Sequence, residues 1–350
     1  MKRNTWMTLA VVAIASVLAV AVAVAGRAEK ASATAQATLR AAMVSDTGNI
    51  NDRSFNALSK KGLDRAKKQL KAQTRVFISQ SKADYLPNFV TAARANYNAI
   101  VATGFLLGDD MSTAATQFPN SKFAIVDFPW VALKDKPKNA IGLTFKSEQS
   151  GYLVGYLAAL MAKKQGGKQV VSAVGGKKIP SVDNWIAGYF AGAKRANPKI
   201  KTLVDYSNQF AIGFSATCKE LALKQIAKGS QMIFQVAGGC GLGALDAAKA
   251  RHKGKRPVWG IGVDADQGYL GKHILTSGTK KVDVATFRFY KSVKDGTFKG
   301  ARDFAGTLKN GLQGVGKISS QVPKAYVTKM NHIKALIIKG KIKPPSKLKG

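Results

Sequence analysis

Acidic side chains are scarce in this chain. Nineteen aspartates and glutamates stand against fifty-five lysines and arginines in 350 residues, and there are only three histidines and two cysteines. Each shortage removes a class of chemistry. Three histidines, with no His-Glu-x-x-His and no Cys-x-x-Cys, leave a zinc centre without its usual ligands. Past the N-terminal region the glutamates are Glu148 and Glu220, both on apparent helices, so a glutamate-pair glycosidase lacks its pair. No Gly-x-Ser-x-Gly elbow occurs, which withdraws the common serine-hydrolase signature. Gly311 to Lys317 has phosphate-loop spacing, but Ile318 stands where a magnesium-binding hydroxyl belongs. No cofactor and no metal are expected.

What is abundant is lysine, and the formal charge reaches +36. A nucleic-acid surface needs those cations gathered on one face or interleaved with stacking aromatics. Here they are dispersed, as Lys60-Lys61, Lys67-Lys68, Lys163-Lys164, Lys177-Lys178, Lys280-Lys281 and a lysine-rich tail over 339–349. Arginine, which grips phosphate and guanine in bidentate fashion, is the minority cation. The expectation is a solvated cationic coat and no nucleic-acid partner.

At the N-terminus, Lys2 and Arg3 precede an apolar Ala/Val/Leu run over 9–25, and small-residue tripeptides such as Ala33-Thr34-Ala35 follow. That is the layout of an export signal. Residues 1–37 are therefore read as a signal peptide and short linker; a retained anchor is the alternative, because the run falls just short of the ~20 residues that span a bilayer. The expected location is outside the cytoplasmic membrane, periplasmic or associated with the cell surface. On that oxidising side, Cys218 in an apparent helix and Cys240 in the glycine turn after the next strand are placed to form one disulfide, with two free buried thiols as the alternative.

From Leu39 onward, short β-branched runs alternate with longer amphipathic ones, the pattern of parallel sheets covered by helices. Strands are predicted over 41–45, 75–79, 99–103, 123–127, 140–144, 170–174, 202–206, 232–236, 258–262 and 274–277. Helices fall between them, most clearly over 54–72, 148–164, 182–196, 216–228, 244–252, 282–295 and 324–339. Ten strands in this length predict two doubly wound α/β lobes. Open sheets of this kind hold ligands beyond the carboxyl ends of their strands. The residues there include Asp46, Gly104-Phe105, Asp127, Gly175-Gly176, Phe210, Gly238-Gly239 and Asp264, a concentration of carboxylates, glycines and aromatics that points to a polar ligand between lobes. The run Gly238-Gly239-Cys240-Gly241 opens a helix and can present backbone N–H groups to a guest, although it does not match a dinucleotide fingerprint. Trp185, on the helix after Gly175 to Pro180, either faces the cleft or packs in the core.

The segment Asp46-Thr47-Gly48-Asn49-Ile50-Asn51-Asp52-Arg53-Ser54-Phe55-Asn56 resembles the opening motif of the basic membrane protein family, the PnrA-like solute-binding proteins of ABC transporters. The likeness continues in order through Ala83 to Asn88, Gly104 to Asp109, Phe123 to Asp127, Gly175 to Pro180, Val236 to Gly243, Gly260 to Gln267 and Leu275 to Asp283. The resemblance implies a type I periplasmic-binding-protein fold. Its two lobes, joined by a hinge, would divide as residues 38–145 plus 273–306 and residues 146–272 plus 307–350. It also implies a small-molecule guest, typically a purine nucleoside, with an ABC permease and ATPase as partners and no enzymatic activity. Carried over residue by residue, Phe55 would stack on the base and Asp46 and Asn56 would hydrogen-bond it, with Asp127 helping to position it. Asp264 would accept from two ribose hydroxyls, Lys280 would lie near ring or sugar oxygens, and Phe210 would fill the second stacking place. The sequence departs from the family pattern there: Gln209-Phe210-Ala211-Ile212 replaces Ser-Phe-Asn-Asp and loses two polar side chains. A sugar-binding or sensing protein of the same fold, and an exported nucleoside-processing enzyme using Asp46 or Asp127, are the rival expectations.

Overall fold

The computed structural model describes residues 38–47 and 50–348. The expected export segment lies outside the described residues, as do Gly48 and Asn49 of the opening motif. From Leu39 on the chain forms one unit built on two six-stranded sheets. In chain order, β1 (Arg40–Ser45), α1 (Phe55–Leu70), β2 (Gln73–Phe77), α2 (Tyr85–Arg94), β3 (Ala99–Thr103), α3 (Gly108–Gln117), β4 (Lys122–Val126) and β5 (Ala140–Phe145) build the first lobe. The second follows with α4 (Ser147–Gln165), β6 (Val170–Gly175), α5 (Pro180–Ala196), β7 (Lys201–Tyr206), α6 (Ser215–Ala227), β8 (Ser230–Val236), α7 (Gly241–Ala250), β9 (Trp259–Asp264) and β10 (Ile274–Lys280). The chain returns to the first lobe for α8 (Val282–Lys294) and β11 (Arg302–Gly306), then ends in the second with β12 (Gln313–Val315) and α9 (Lys324–Ile338).

The sheets are wound alike, in the orders β11-β5-β4-β3-β1-β2 and β12-β10-β9-β8-β6-β7. All pairings are parallel except β12 on β10. Helices cover both faces, so the central strands β3, β8 and β9 are buried along their whole length. The edge strands β2 and β7 are not, and read as mixed polar runs. In each sheet the winding direction reverses beside the lobe's first strand, between β1 and β3 and between β6 and β8. Those two switch points open pockets at the carboxyl ends of the strands.

Helices α4 and α5 approach unusually closely because each carries two glycines one turn apart. A Cβ on Gly155 would lie 1.9 Å from the Tyr189 carbonyl oxygen, and one on Gly192 would lie 2.0 Å from that of Tyr152. Gly151 and Gly188 make the matching contacts with Trp185 and Glu148. This packing fixes Trp185 on the inner side of α5. Cys218 and Cys240 are joined by a disulfide, which ties α6 to the turn before α7.

One expected boundary moves. The expected first-lobe segment 273–306 includes β10, which pairs in parallel with β9 in the second sheet. The chain crosses between lobes after Phe145, after Lys280 and between Gly306 and Gln313. A strand buried on both faces reads the same in either sheet, so sequence pattern does not say which one it joins. β11 and β12 were not anticipated, being short edge strands of five and three residues.

Candidate functional site

The strand ends of both lobes meet around one cavity, which encloses about 590 Å³ of space free of protein atoms, its open mouth included. The first lobe contributes Asp46 after β1, Gly104 after β3, Asp127 after β4, and Phe55 and Asn56 from the start of α1. The second contributes Trp185, Phe210, Gly238, Asp264 and Lys280. Every ligand-binding candidate named from the sequence thus borders the same space. Phe105, one of the strand-end residues, lines it too, and so do Leu106, Ile179, Ser181, Val182, Val236, Val263 and Asp52, which the sequence pattern does not single out.

Asp52 explains the local fold of the opening motif. Its carboxylate accepts the backbone N–H groups of Ser54, Asn56 and Ala57 at 2.9, 2.8 and 3.0 Å, capping α1 from two residues before its Ser54 N-cap. Burial pushes its pKa up, and those three N–H groups pull it back. The cap delivers Asn56 to the cavity with its amide nitrogen pointed at Asp46 (3.4 Å) and Asp52 (3.3 Å). The amide oxygen Oδ1 of Asn56 is buried and accepts from no donor among the described residues. Together with the Asp46 carboxylate it makes this end of the cavity a wall of acceptors.

The centre is an ion triad. Lys280 Nζ lies 2.6 Å from Asp127 Oδ2 and 3.2 Å from Asp264 Oδ1, with the lysine side chain 2% exposed. Burial opposes the ammonium charge, but the two carboxylates outweigh it and raise the Lys280 pKa. Burial likewise pushes the Asp127 carboxyl up, with Lys280 holding it back. Both aspartates sit in the left-handed backbone region, with φ of 67° and 62°, directly at the ends of β4 and β9. Aspartate tolerates that conformation better than most residues, and its use twice at one site marks a position where geometry outranks backbone comfort. Because Asp127 belongs to the first sheet and Lys280 to the second, the pair bridges the lobes. Ser54 adds a second bridge by donating to the Val263 carbonyl at 2.9 Å.

Aromatics complete the walls. Lys280 Nζ rests 4.7 Å from the Phe55 ring centroid, so the same ammonium touches the ring and both acids. Phe210 stands on Gly176, where a Cβ would meet its ring at 2.2 Å, and its carbonyl accepts the Cys240 N–H at 3.1 Å. Trp185 occupies both of the places considered for it. It is 1% exposed in the second lobe's core, edge-to-face with Phe234, and one side borders the cavity. In a protein of charge +36, this cavity holds four aspartates against one lysine. It therefore favours a guest rich in N–H and O–H donors over an anionic one.

The family described as "ABC transporter substrate-binding protein PnrA-like" matches residues 39–347. The chain belongs to that family. An "ABC transporter nucleoside-binding protein BmpA" of Lactococcus lactis subsp. cremoris is 34% identical across 97% of this chain and 99% of its own. "Basic membrane protein A" of Borreliella burgdorferi is 31% identical across 85% and 86%. Among solved structures, an ABC transporter solute-binding protein of Aeropyrum pernix K1 superposes with a TM-score of 0.79, at 25% identity over 88% of this chain and 94% of that one. The fold is the type I fold of periplasmic binding proteins, and the protein is an ABC substrate-binding protein. Among the described residues, no helix is long and apolar enough to cross a membrane.

Proposed function

We propose that the protein binds a purine nucleoside, or a closely similar riboside, between its lobes and delivers it to an ABC permease with its ATPase. It acts outside the cytoplasmic membrane and leaves the guest unaltered. The observation that carries this reading is that Phe55 of the first lobe and Asp264 of the second border one cavity. A ring there offers a flat face to a base, with roughly 0.5–1.5 kcal/mol per aromatic pair beyond area burial. A carboxylate offers a vicinal diol charge-assisted hydrogen bonds of about 1.5–3 kcal/mol each, and is left unpaired when the diol is missing. The acceptor wall of Asp46 and Asn56 suits the N–H groups of a base edge, and the excess of carboxylates disfavours nucleotides. The nucleoside-binding relative from Lactococcus lactis supports the same guest. Asp127 is engaged by Lys280 at 2.6 Å, which argues against it as the base of a nucleoside-cleaving enzyme.

Thermal melts with guanosine, adenosine and inosine test the reading. Guest at 100 times its Kd adds about 2.7 kcal/mol by linkage, which a melt resolves. No shift with any nucleoside, alongside a shift with a hexose or an amino acid, removes it, and release of free base over hours shows an enzyme instead.

A further inference from the structure

Cys218 and Cys240 do not line the cavity, yet their bridge is fastened to its wall. Helix α6 fully buries Cys218, Ala222 and Gln225, with Leu221, Leu223 and Ile226 partly buried beside them, and Gln225 donates to the Ala173 carbonyl of β6 at 2.9 Å. Residues 207–214, which lead into it, form no strand, and their outer side chains Ile212 and Phe214 are 39% and 46% exposed. At its start the segment is held by the Gly175 and Gly176 carbonyls, which accept the Ser207 and Asn208 N–H groups at 2.9 Å, and from Phe210 onward by the turn before α7. The Cys240 N–H donates to the Phe210 carbonyl at 3.1 Å. Gly239 abuts Ile212, where a Cβ would lie 2.9 Å from the backbone nitrogen, and Gly243 abuts the Ser215 carbonyl, where it would lie 1.8 Å away. The disulfide locks the same two pieces together one turn further along, and each piece ends on the cavity, one through Phe210 and the other through Gly238.

We propose that the Cys218–Cys240 disulfide is a positioning element of the ligand site. It holds the Phe210 segment against the Gly238 turn, so that the second lobe's wall is already formed when a guest arrives. Both cysteines are 0% exposed, so the bridge is shielded from exchange with dissolved thiols in the folded protein. Its role is preorganisation, not switching. A wall that must be ordered on binding costs affinity, and within one site such costs fall mainly on the dissociation rate. The choice of guest for the test rests on the nucleoside reading above; the inference about the wall does not.

The test compares the full chain with its C218A/C240A variant, since alanine leaves no buried hydroxyl. Guanosine and adenosine are titrated by calorimetry and their release followed by stopped flow, well below both melting temperatures. Hydrogen exchange is measured on the ligand-free proteins. The expected result is a Kd raised at least tenfold, carried by faster release, with accelerated exchange confined to residues 207–214 and the amides of β3 and β8 unchanged. Ile337→Ala, in the second lobe's core and off the cavity, separates positioning from plain destabilisation. It should lower the melting temperature and leave Kd alone. A C218A/C240A variant that melts earlier but keeps the parent Kd and release rate overturns the proposal. If neither nucleoside binds the parent, the nucleoside reading fails, and exchange still decides the inference: a local increase over 207–214 sustains it, and an unchanged or lobe-wide pattern sinks it.

Discussion

Replacing Lys280 with methionine keeps most of the stem and removes the one cation among the cavity's four aspartates. In the parent, the lysine pKa is raised above its ordinary 10.5. A raised lysine contributes stability fully present below the unfolded value and lost only as pH climbs through the folded one, so between pH 4 and 8 the ammonium adds no pH dependence. In K280M the Asp127 carboxyl, already pushed up from 3.8 by burial, loses its main restraint. A carboxyl whose folded pKa exceeds its unfolded one holds its proton more tightly when folded. Because the parent carboxyl is raised as well, the variant loses stability relative to the parent only as pH rises beyond the parent's folded value toward its own, higher one. Over that interval the loss grows by at most about 1.4 kcal/mol per pH unit. Once the carboxylates are ionised the total approaches the ~3–5 kcal/mol cost of breaking a buried ion pair. With an unfolding entropy of ~2.1 cal/mol/K per residue over roughly 310 residues, 4 kcal/mol lowers Tm by about 6 °C. Calorimetric melts of parent and variant at pH 4.5, 5.5 and 7 measure the difference. A Tm deficit identical at all three values means that methionine merely packs badly, and it refutes the reasoning about orphaned carboxylates.

Asp264→Asn should weaken binding of a ribonucleoside by roughly 10- to 100-fold, from the ~1.5–3 kcal/mol of a charge-assisted hydrogen bond, and should shrink the preference for ribose over 2′-deoxyribose. Equal losses for the two sugars in calorimetry would place the diol elsewhere. Purine riboside, whose base carries no N–H donor on its edge, should bind at least several-fold more weakly than guanosine, because Asn56 Oδ1 then stays unpaired. Competition assays giving equal affinities would take Asn56 out of base recognition. Gly155→Ala should cost ~1–3 kcal/mol or more by overpacking, since its Cβ falls 1.9 Å from the Tyr189 carbonyl oxygen. The accompanying sign is altered Trp185 fluorescence as α4 and α5 part; an unchanged melt and spectrum would show that the helices give way freely.

The sequence made the strands legible wherever burial was complete. β3 was predicted residue for residue, because an apolar run with helices on either side leaves little ambiguity. It failed where two elements carry the same pattern. β10 is buried almost throughout, as the inner first-lobe strands are, and only its hydrogen-bonded neighbour assigns it to the second sheet. The candidate residues could be found because strand ends announce themselves as glycine and aspartate after apolar runs. Their mutual arrangement could not. The Lys280–Asp127 bond joins residues 153 apart in sequence, and no local signal shows that one lysine among so many is buried between two acids. Asp52 was overlooked as a lining residue for the opposite reason: its role is local, as a helix cap, and a capping aspartate in a polar loop looks like any other.

Three separate passages of backbone join the halves, after Phe145, after Lys280 and ahead of Gln313. A lone tether would let each half swivel and slide; three side by side leave opening and shutting about the line through them as the soft movement. The same partners then come face to face on every stroke, so a transporter can take the shut shape as a report that the berth is filled.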